Sequence, residues 1–211
     1  MKVLCACEES QRVCLAFRHK GHEAYSCDLI DESGGHPDYH IKQDVLPLLQ
    51  KNARFFTQDG IYHAVDQWDM IIAFPPCTHL CITGNRWFTE GRKPYSLRLQ
   101  AIAFFYRFVM ADCDKIAIEN PVSIMSTAYR KPDQIIQPYM FGHETSKKTC
   151  LWLKNLPCLK PTQVVIPKSS YSIDNFRDKN GKILAWNSQE IKTLRSKTFL
   201  GIAAAMADQW G

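Results

Sequence analysis

The segment 69–78 is the feature that most constrains the fold of this chain. Met70-Ile71-Ile72-Ala73 is an apolar run that is long enough for a buried parallel strand and too short for a helix. Pro75 and Pro76 end that strand, because a proline nitrogen cannot donate to a sheet ladder. Cys77 therefore follows a central strand, where open α/β sheets bind ligands. Two interpretations of Cys77 are open, a reactive thiol and a small buried side chain.

Strand-like and helical patterns alternate on both sides of this segment. Val3–Cys7 and Ala24–Cys27 are strand-like, and a helix ending before Gly21 separates them, which makes a βαβ unit. A short third strand is predicted over 39–41 and a further buried strand over 115–119. The predicted fold class is therefore α/β, with a doubly wound, mostly parallel sheet of the Rossmann-like type.

Other segments complete this prediction. A helix is predicted over 46–56, a strand over 149–153 and a helix over 201–210. The clearest helix is predicted over 95–111, because its apolar positions form one broad face: Leu97, Leu99, Ile102, Phe105, Tyr106 and Val109. The run 79–92 is predicted to be a mobile loop that carries Arg86, Trp87 and Phe88.

Length and composition favour one domain over residues 1–211. The chain has 211 residues, of which 45% are hydrophobic, and 155–197 is predicted to be a short loop-rich insertion. No apolar run is long enough to cross a bilayer, so a soluble intracellular protein is expected. Nine cysteines without a regular spacing suit a reducing compartment. No metal site is predicted, because Cys77 and Cys81 lack a second cysteine pair at a zinc-site spacing.

The basic charge is concentrated in the last third of the chain. The net charge is +5, and residues 145–211 hold 11 Lys and Arg against 4 Asp and Glu. Such an asymmetry favours a partner that carries phosphates, although a solvated surface that promotes solubility is equally compatible with it.

Two motifs make a family resemblance visible. Pro75-Pro76-Cys77 follows one apolar strand, Glu119-Asn120-Pro121 follows the next, and together they resemble the DNA (cytosine-5) methyltransferase family. The resemblance is to its short phage and prophage members, which lack a full target-recognition domain. It implies a methyltransferase-type fold, S-adenosylmethionine as cofactor, cytosine-containing DNA as partner, and the cytoplasm of a bacterial or phage-infected cell as location.

The resemblance also assigns roles to residues. Cys77 is the nucleophile and Glu119 the carboxyl group that holds the base, while Asp28 and Asp44 hold the cofactor ribose and adenine. The full set of implied cofactor contacts is Cys7, Glu8, Ser10, Asp28, Leu29, Asp44, Val45, Phe74, Pro75 and Ala203. The implied substrate contacts are Pro76, Thr78, Arg86, Asn120, Pro121, Lys147 and Lys148.

Each of these assignments has a structural alternative. Asp28 is also explained as an ordinary loop acceptor, and Glu119 as a carboxylate that holds a loop amide. The aromatic side chains of the loop 79–92 are equally explained by packing against the following helix.

The chemistry explains why these residue types are needed. Cytosine C5 is a poor nucleophile, so a thiolate must first add at C6, and a helix amino terminus after Cys77 is expected to lower the thiol pKa. Glu119 is expected to stabilise the adduct at N3. Because the target atom lies inside a duplex, the base must be flipped out, and Arg86, Trp87 and Phe88 are candidates to close over the gap.

Three departures from the family pattern keep other functions open. The first strand leads into Ala6-Cys7-Glu8-Glu9-Ser10-Gln11, which has no Gly-x-Gly. A Gln-x-Arg-x-Arg segment is missing, and Lys147-Lys148-Thr149 lies near its place. The region 155–197 is short for target recognition. The alternatives are C5 modification of a pyrimidine in a free nucleotide, a single strand or RNA, and a nucleic-acid-binding protein without catalytic activity.

Overall fold

The computed structural model describes residues 1–170, 181 and 189–211. Within these ranges the strands are β1 (Lys2–Ala6), β2 (Glu23–Asp28), β3 (His40–Lys42), β4 (Ala53–Phe56), β5 (Tyr62–Val65), β6 (Met70–Ala73), β7 (Ile116–Pro121), β8 (Gln134–Ile136), β9 (Thr145–Ser146), β10 (Thr149–Lys154) and β11 (Ser169–Ser170). The α-helices are α1 (Arg12–His19), α2 (Asn85–Thr89), α3 (Tyr95–Val109), α4 (Met125–Ala128), α5 (Gln189–Ser196) and α6 (Leu200–Trp210). Four short 3-10 helices cover Pro37–Tyr39, Leu46–Leu49, Ile82–Gly84 and Pro138–Met140.

A seven-stranded sheet in the order β3-β2-β1-β6-β7-β10-β8 organises the described part of the chain. The strands from β3 to β7 pair in parallel, and β10 is antiparallel to both β7 and β8. The chain builds outward from β1 in one direction and then restarts at β6 on the other side of β1. The predicted α/β fold with a doubly wound, mostly parallel, Rossmann-like sheet is confirmed, and its switch point lies between β1 and β6.

The central strand β6 is buried on both faces, as its apolar run predicts. Met70, Ile71, Ile72 and Ala73 are all 0% exposed. Ile71 and Ala73 face a core cluster shared with α3, whereas Met70 and Ile72 face a second cluster shared with α1 and α6. Burying each isoleucine contributes about 1.5–3 kcal/mol, so this strand fixes both layers of helices on the sheet.

The helix predicted over 46–56 is wrong. Leu46–Leu49 forms one 3-10 turn, and Asn52 then adopts a left-handed backbone with a φ of 59°, which interrupts a right-handed helix. The following strand β4 alternates buried and exposed side chains and pairs with β5. The alternation of buried and exposed side chains in Ala53–Phe56 is the pattern of a strand. The apolar residues spread over the whole segment 46–56 obscure this pattern in the sequence.

The predicted strands over 39–41, 115–119 and 149–153 and the predicted helix over 201–210 are confirmed with small shifts at their ends. Within the predicted insertion over 155–197, residues 171–180 and 182–188 lie outside the described residues. No helix in the described ranges is long and apolar enough to cross a membrane.

Helix α3 confirms the helix predicted over 95–111, but not the whole of its predicted apolar face. Leu99 is 55% exposed, whereas the neighbouring Arg98 is only 3% exposed. Position 98 faces the loop that follows β6, and that loop supplies polar partners for a guanidinium group. Arg98, a charged side chain, therefore occupies the buried position on α3 that the sequence pattern assigns to the apolar Leu99.

Glu8 holds the beginning of α1. Its two carboxylate oxygens accept hydrogen bonds from the backbone N–H groups of Val13 (2.7 Å) and Cys14 (3.1 Å), which are unpaired donors of the first helical turn. Burial raises the pKa of Glu8 to about 7, and the two N–H donors oppose this shift. Both oxygens of the Glu8 side chain therefore serve the helix in this structure, and its contact with a cofactor stays a prediction.

We predict that Glu8→Gln flattens the pH dependence of stability. The pKa of Glu8 is higher in the folded protein than in the unfolded chain, so raising the pH from 4.5 to 7 deprotonates the unfolded chain first. The wild-type free energy of unfolding should therefore fall by about 2–3 kcal/mol relative to Glu8→Gln over this range. Urea denaturation at pH 5 and pH 7.5 measures it, with exposed Glu144→Gln as the control. Parallel pH profiles of Glu8→Gln and the wild type would contradict the prediction.

Candidate active site

Hydrogen bonds tie the loop after β6 to the loop after β7. The Asn120 side-chain amide donates to the Pro75 carbonyl oxygen (2.8 Å). Further along, the Ile82 N–H donates to the Val122 carbonyl, and the Ile124 N–H donates to the Leu80 carbonyl. Because β6 and β7 are parallel neighbours, their carboxyl ends already lie side by side. These contacts then hold the Pro-Pro-Cys and Glu-Asn-Pro motifs as one unit.

Cys77 is half-buried at this edge and faces charged groups. Burial raises the pKa of its thiol, and the carboxylate of Glu119 and the thiol of Cys81 raise it further. The positive charges of Lys147 and Arg195 act in the opposite direction. The expected lowering of the thiol pKa by a helix amino terminus is therefore wrong. Cys77 is followed by a turn in which its own carbonyl accepts from Leu80 and Cys81, so no helix amino terminus points at it.

Glu119 and Lys147 form the second part of the site. Burial raises the pKa of Glu119, and the charge of Lys147 and a hydrogen bond from Thr149 partly offset this effect. Burial lowers the pKa of Lys147, and the negative charges of Glu119 and Cys77 oppose that shift. The structure thus brings together Cys77, Glu119 and Lys147, three residues that the sequence placed on separate segments.

A narrow pocket opens beside Glu119. Its cavity volume is about 10 Å³, which is room for one water molecule. Its walls are Glu119, Lys147, Thr149, Ser196, Lys197, Thr198, Phe199 and Ile202. The Lys147 Nζ atom donates to the Arg195 carbonyl oxygen (2.9 Å) and so joins the two walls. A molecule larger than water can enter this pocket only when the segment that begins at Arg195 moves away from Lys147.

The other predicted substrate contacts differ in accessibility. Pro76, Thr78 and Lys148 are exposed beside Cys77 and Glu119. Pro121 is half-buried at the end of β7. Asn120 is only 1% exposed, and its amide oxygen has no hydrogen-bond partner. In this structure, Asn120 holds the Pro75 loop, and its contact with a substrate stays a prediction.

The loop 79–92 is folded around Arg98. The Arg98 guanidinium donates to the His79 carbonyl (3.1 Å) and to the Asn85 side chain, and it lies 3.9 Å from the centre of the Phe88 ring. Phe88 therefore packs against Arg98 and Tyr95 of α3, as the structural alternative for that aromatic side chain predicts. Arg86 is exposed and lies 4.7 Å from the Trp87 ring. These two side chains remain available to a ligand.

The carboxyl ends of β2 and β3 form an acidic edge on the other side of the switch point. Burial is the larger cause of the raised pKa of the Cys7 thiol. Asp28 and Asp44 both lie near enough to Cys7 to raise it further. Asp28 uses Oδ1 to accept the N–H groups of Leu29 and Ile30, and the Leu29 side chain is 71% exposed. Carboxylates beside an exposed apolar side chain suit a ligand with hydroxyl groups, a flat apolar ring and positive charge.

The loop after β1 is compact although it lacks glycine. Cys7 and Gln11 adopt left-handed backbones, with φ angles of 60° and 56°. Gly34 comes from the next loop and allows it to close on Gln11, because a Cβ at position 34 would lie 2.6 Å from the Gln11 Oε1 atom. Beside this contact, the Glu9 Oε1 atom is buried without a hydrogen-bond partner. An orphaned carboxylate oxygen at this edge fits the ammonium group of S-adenosylmethionine.

Two further residues that are predicted to contact the cofactor have their side chains in the interior. Val45 is 4% exposed in the core cluster on the α3 side, and Ala203 is 1% exposed between α6 and the sheet. Both are apolar side chains that pack in the interior and present no surface to a ligand. Of the remaining predicted contacts, Ser10 and Pro75 are nearly buried, and Cys7 and Phe74 are half-buried at the edge. Their cofactor contacts stay predictions.

Several residues at the site were not found from the sequence. Arg98, Glu9 and Arg195 are the most important, and the latter two lie at opposite ends of the chain. The polar run after β1 is a sequence pattern that includes Glu9, but no local pattern distinguishes Arg195 from the other basic residues of the last third. Its position follows only from the packing of α5 and α6.

Comparison with known proteins gives distant structural likenesses. No protein-family model matches the chain. No curated protein matches it either. A solved structure of a protein proposed to be a DNA modification methyltransferase, encoded within a prophage of E. coli, is 15% identical and covers 79% of this chain with a TM-score of 0.49. The match covers 52% of that protein, so this chain spans about half of its length. A likeness this distant says nothing about activity.

We predict that the Asn120–Pro75 hydrogen bond stabilises the whole site. Asn120→Ala removes a buried donor and should lower the free energy of unfolding by about 1–3 kcal/mol. Asn120→Asp keeps the shape but places a carboxylate against a carbonyl oxygen, so it should cost more at pH 8 than at pH 5. Urea denaturation of both variants at the two pH values measures this difference. Wild-type stability of Asn120→Ala would contradict the role of the hydrogen bond.

Proposed function

We propose that this protein methylates C5 of cytosine in DNA, with Cys77 as the nucleophile and S-adenosylmethionine as the methyl donor. The observation that carries the proposal is the meeting of Cys77, Glu119 and Lys147 at the carboxyl ends of β6 and β7. A thiol and a carboxyl group at one edge, with a buried ammonium group beside them, are the groups that addition to a pyrimidine ring requires.

One proton serves both functional groups. In the proposed mechanism Cys77 and Glu119 share one proton, because the Glu119 carboxylate raises the pKa of the Cys77 thiol. Moving that proton from Cys77 Sγ to the Glu119 carboxyl group creates the nucleophile and the acid together, without a change in net charge. Lys147 stabilises the remaining negative charge on either group.

The residues then act on the base in a defined order. Cys77 Sγ forms a bond to C6, the C5–C6 electron pair shifts toward C5 and N3, and Glu119 gives its proton to N3. After C5 has been methylated, a water molecule accepts the C5 proton, which re-forms the C5–C6 double bond and expels the Cys77 thiolate. Glu119 recovers the N3 proton in the same step, so both residues return to their starting state.

The acidic edge fits the methyl donor. S-adenosylmethionine, when bound, supplies an electrophilic methyl group. Asp28 and Asp44 would hold its hydroxyl and amino groups, the exposed side chain of Leu29 would cover its adenine ring, and Glu9 Oε1 would accept its ammonium group. This donor set is anionic, whereas the base pocket is cationic, so the two ligands are attracted to opposite sides of the switch point.

The surface beside Cys77 suits a polyanion. Arg86 and Arg92 are exposed on the loop that follows Cys77, and both lie near the Trp87 ring, at 4.7 Å and 5.1 Å. Lys148 is exposed on the other side of the pocket. Cations next to an accessible aromatic ring are the groups that contact phosphates and stack on bases.

We predict that the wild type forms a covalent complex with DNA that contains 5-fluorocytosine. With S-adenosylmethionine present, C5 of the Cys77 adduct is methylated, but the fluorine cannot leave as a proton does, so the adduct persists and is seen on a denaturing gel. Cys77→Ser should give no complex, and Glu119→Gln should slow its formation by about 100-fold or more. The exposed Cys158→Ser serves as the matched cysteine control. A complex that survives Cys77→Ser would exclude the proposed nucleophile.

The same assay separates the substrate classes. Duplex DNA, single-stranded DNA, RNA and the free nucleotide, each with 5-fluorocytosine, are compared at equal concentration. The proposal requires DNA to be trapped fastest. Faster trapping of RNA or of the nucleotide would assign the activity to that substrate and would leave the proposed role of Cys77 unchanged.

We predict that Asp28 contributes to binding of S-adenosylmethionine. Asp28→Ala should weaken binding by about 10-fold or more, because a carboxylate that accepts hydrogen bonds from a ligand contributes roughly 1.5–3 kcal/mol. Isothermal titration calorimetry measures the affinity, and exposed Asp66→Ala is the control. Absence of binding by the wild type at millimolar cofactor would leave only a function without methyl transfer.

A further inference from the structure

The Arg98 guanidinium is a buried charge whose contacts are all with neutral groups. Arg98 is only 3% exposed, and an arginine this deeply buried is normally paired with an anion. Its Nε atom donates to the His79 carbonyl oxygen (3.1 Å), and its Nη1 atom donates to the Asn85 side-chain oxygen. Its Nη2 atom is buried without a hydrogen-bond partner. None of the ion pairs among the described residues includes Arg98.

A second buried atom without a partner lies on a neighbouring side chain. The His79 Nδ1 atom is buried and makes no hydrogen bond with the described residues. His79 and Arg98 both pack on the Phe88 ring, whose centre lies 6.0 Å from the centre of the imidazole and 3.9 Å from the guanidinium carbon. A neutral imidazole that carries its proton on Nδ1 donates from that atom. The cluster around Phe88 thus contains two buried donors whose acceptors are missing.

The charge of this cluster is not balanced by its own segment. Lys93 Nζ lies 6.0 Å from the centre of the Phe88 ring and brings a second positive charge. Residues 79–98 hold four Lys and Arg against one acidic residue, Glu90. The Glu90 carboxylate pairs with Arg92 (2.9 Å), away from the buried guanidinium. An anion from outside the segment is therefore the group that the cluster lacks.

We propose that Arg98, His79 and Lys93 form a binding site for a phosphate oxyanion under the loop that follows Cys77. A water molecule would accept a hydrogen bond from Arg98 Nη2, but it would leave the buried charge unbalanced. A phosphate supplies several acceptor oxygens together with the missing negative charge. The chemistry of the site is the same for a phosphate of a DNA backbone and for a free phosphate ion.

Asn85 lies on the route from solvent to this site. The residue is exposed, and its side-chain oxygen accepts from Arg98 Nη1, one of the two terminal nitrogens of the guanidinium group. A phosphate that displaces this oxygen contacts Nη1 and Nη2 together, which is the bidentate geometry that arginine forms with phosphates. The neutral Asn85 oxygen therefore competes with the ligand for Arg98.

The position of the site connects it with the proposed function. His79 lies two residues after Cys77. A DNA phosphate bound here would hold the strand next to the proposed nucleophile. This role in DNA binding rests on the proposed function, whereas binding of a free phosphate ion does not.

The first test measures stabilisation by inorganic phosphate. Thermal unfolding is followed from zero to about 50 mM phosphate, with chloride added to keep the ionic strength constant. A phosphate concentration ten-fold above the dissociation constant should raise the wild-type Tm by about 3–5 °C. Phosphate also stabilises proteins in general, and Arg98→Met, which removes the guanidinium group, measures that general part. Arg54→Met, at an exposed surface pair, is the matched control and should respond as the wild type does.

A second variant keeps Arg98 in place. Asn85→Ala removes the competing oxygen at an exposed position, so it should lower the dissociation constant for phosphate by about two- to ten-fold. If Asn85 and Arg98 only hold the loop together, Asn85→Ala lowers the Tm and responds to phosphate no more strongly than the wild type. This comparison does not require Arg98→Met to fold.

Binding of a DNA duplex at several salt concentrations identifies the source of the phosphate. If Arg98 contacts a backbone phosphate, Arg98→Met should reduce the slope of log affinity against log salt concentration by about one. An unchanged slope, with stabilisation by phosphate that requires Arg98, would assign the site to a free phosphate ion.

The failure of this site and the failure of the proposed function are distinguishable. An equal phosphate response of the wild type and Arg98→Met, with no gain in Asn85→Ala and no change in the salt slope, would overturn the oxyanion site. Stabilisation that requires Arg98, in a protein that 5-fluorocytosine does not trap, would support the site and overturn the proposed function. Trapping without any effect of Arg98 on phosphate or DNA would overturn the site alone.

Discussion

The parallel pairing of β6 with β7 is the constraint on which the site depends. Both strands are buried on both faces, so neither can slide by one residue without turning its apolar side chains the wrong way. The register that results places Ala73 opposite Ile118, and the two motifs follow directly. Cys77 and Glu119 are 42 positions apart along the chain. They meet because the sheet brings the ends of their strands together.

Burial and the surrounding positive charges have opposite effects on the pKa of Cys77. Removing Cys77 and Glu119 from water raises the pKa of both groups, which suits the proposed acid Glu119 and opposes the proposed nucleophile Cys77. The positive charges of Lys147 and Arg195 offset part of the rise in the pKa of Cys77. Even so, the pKa of Cys77 stays above its usual value, and without those cations it would be higher still.

The loop after β1 is tight although it contains no glycine. Left-handed backbones at Cys7 and Gln11 carry the turn itself, each at some conformational cost because neither residue is glycine. The glycine needed for close packing is Gly34, on the neighbouring loop, and hydrogen bonds between Gln11 and His36 join the two loops. The absence of Gly-x-Gly therefore does not prevent a compact edge beside β1.

The sequence alone determined the sheet class, the central strand and the two motifs, because apolar runs and prolines act locally through burial and backbone geometry. It misplaced the segment 46–56, where a 3-10 turn and a strand share one apolar pattern, and it took Leu99 rather than Arg98 as buried. Only the tertiary structure decided that Arg195 and Glu9 belong to the site. Their places depend on contacts between segments far apart in the chain, and such contacts leave no periodic pattern in the sequence.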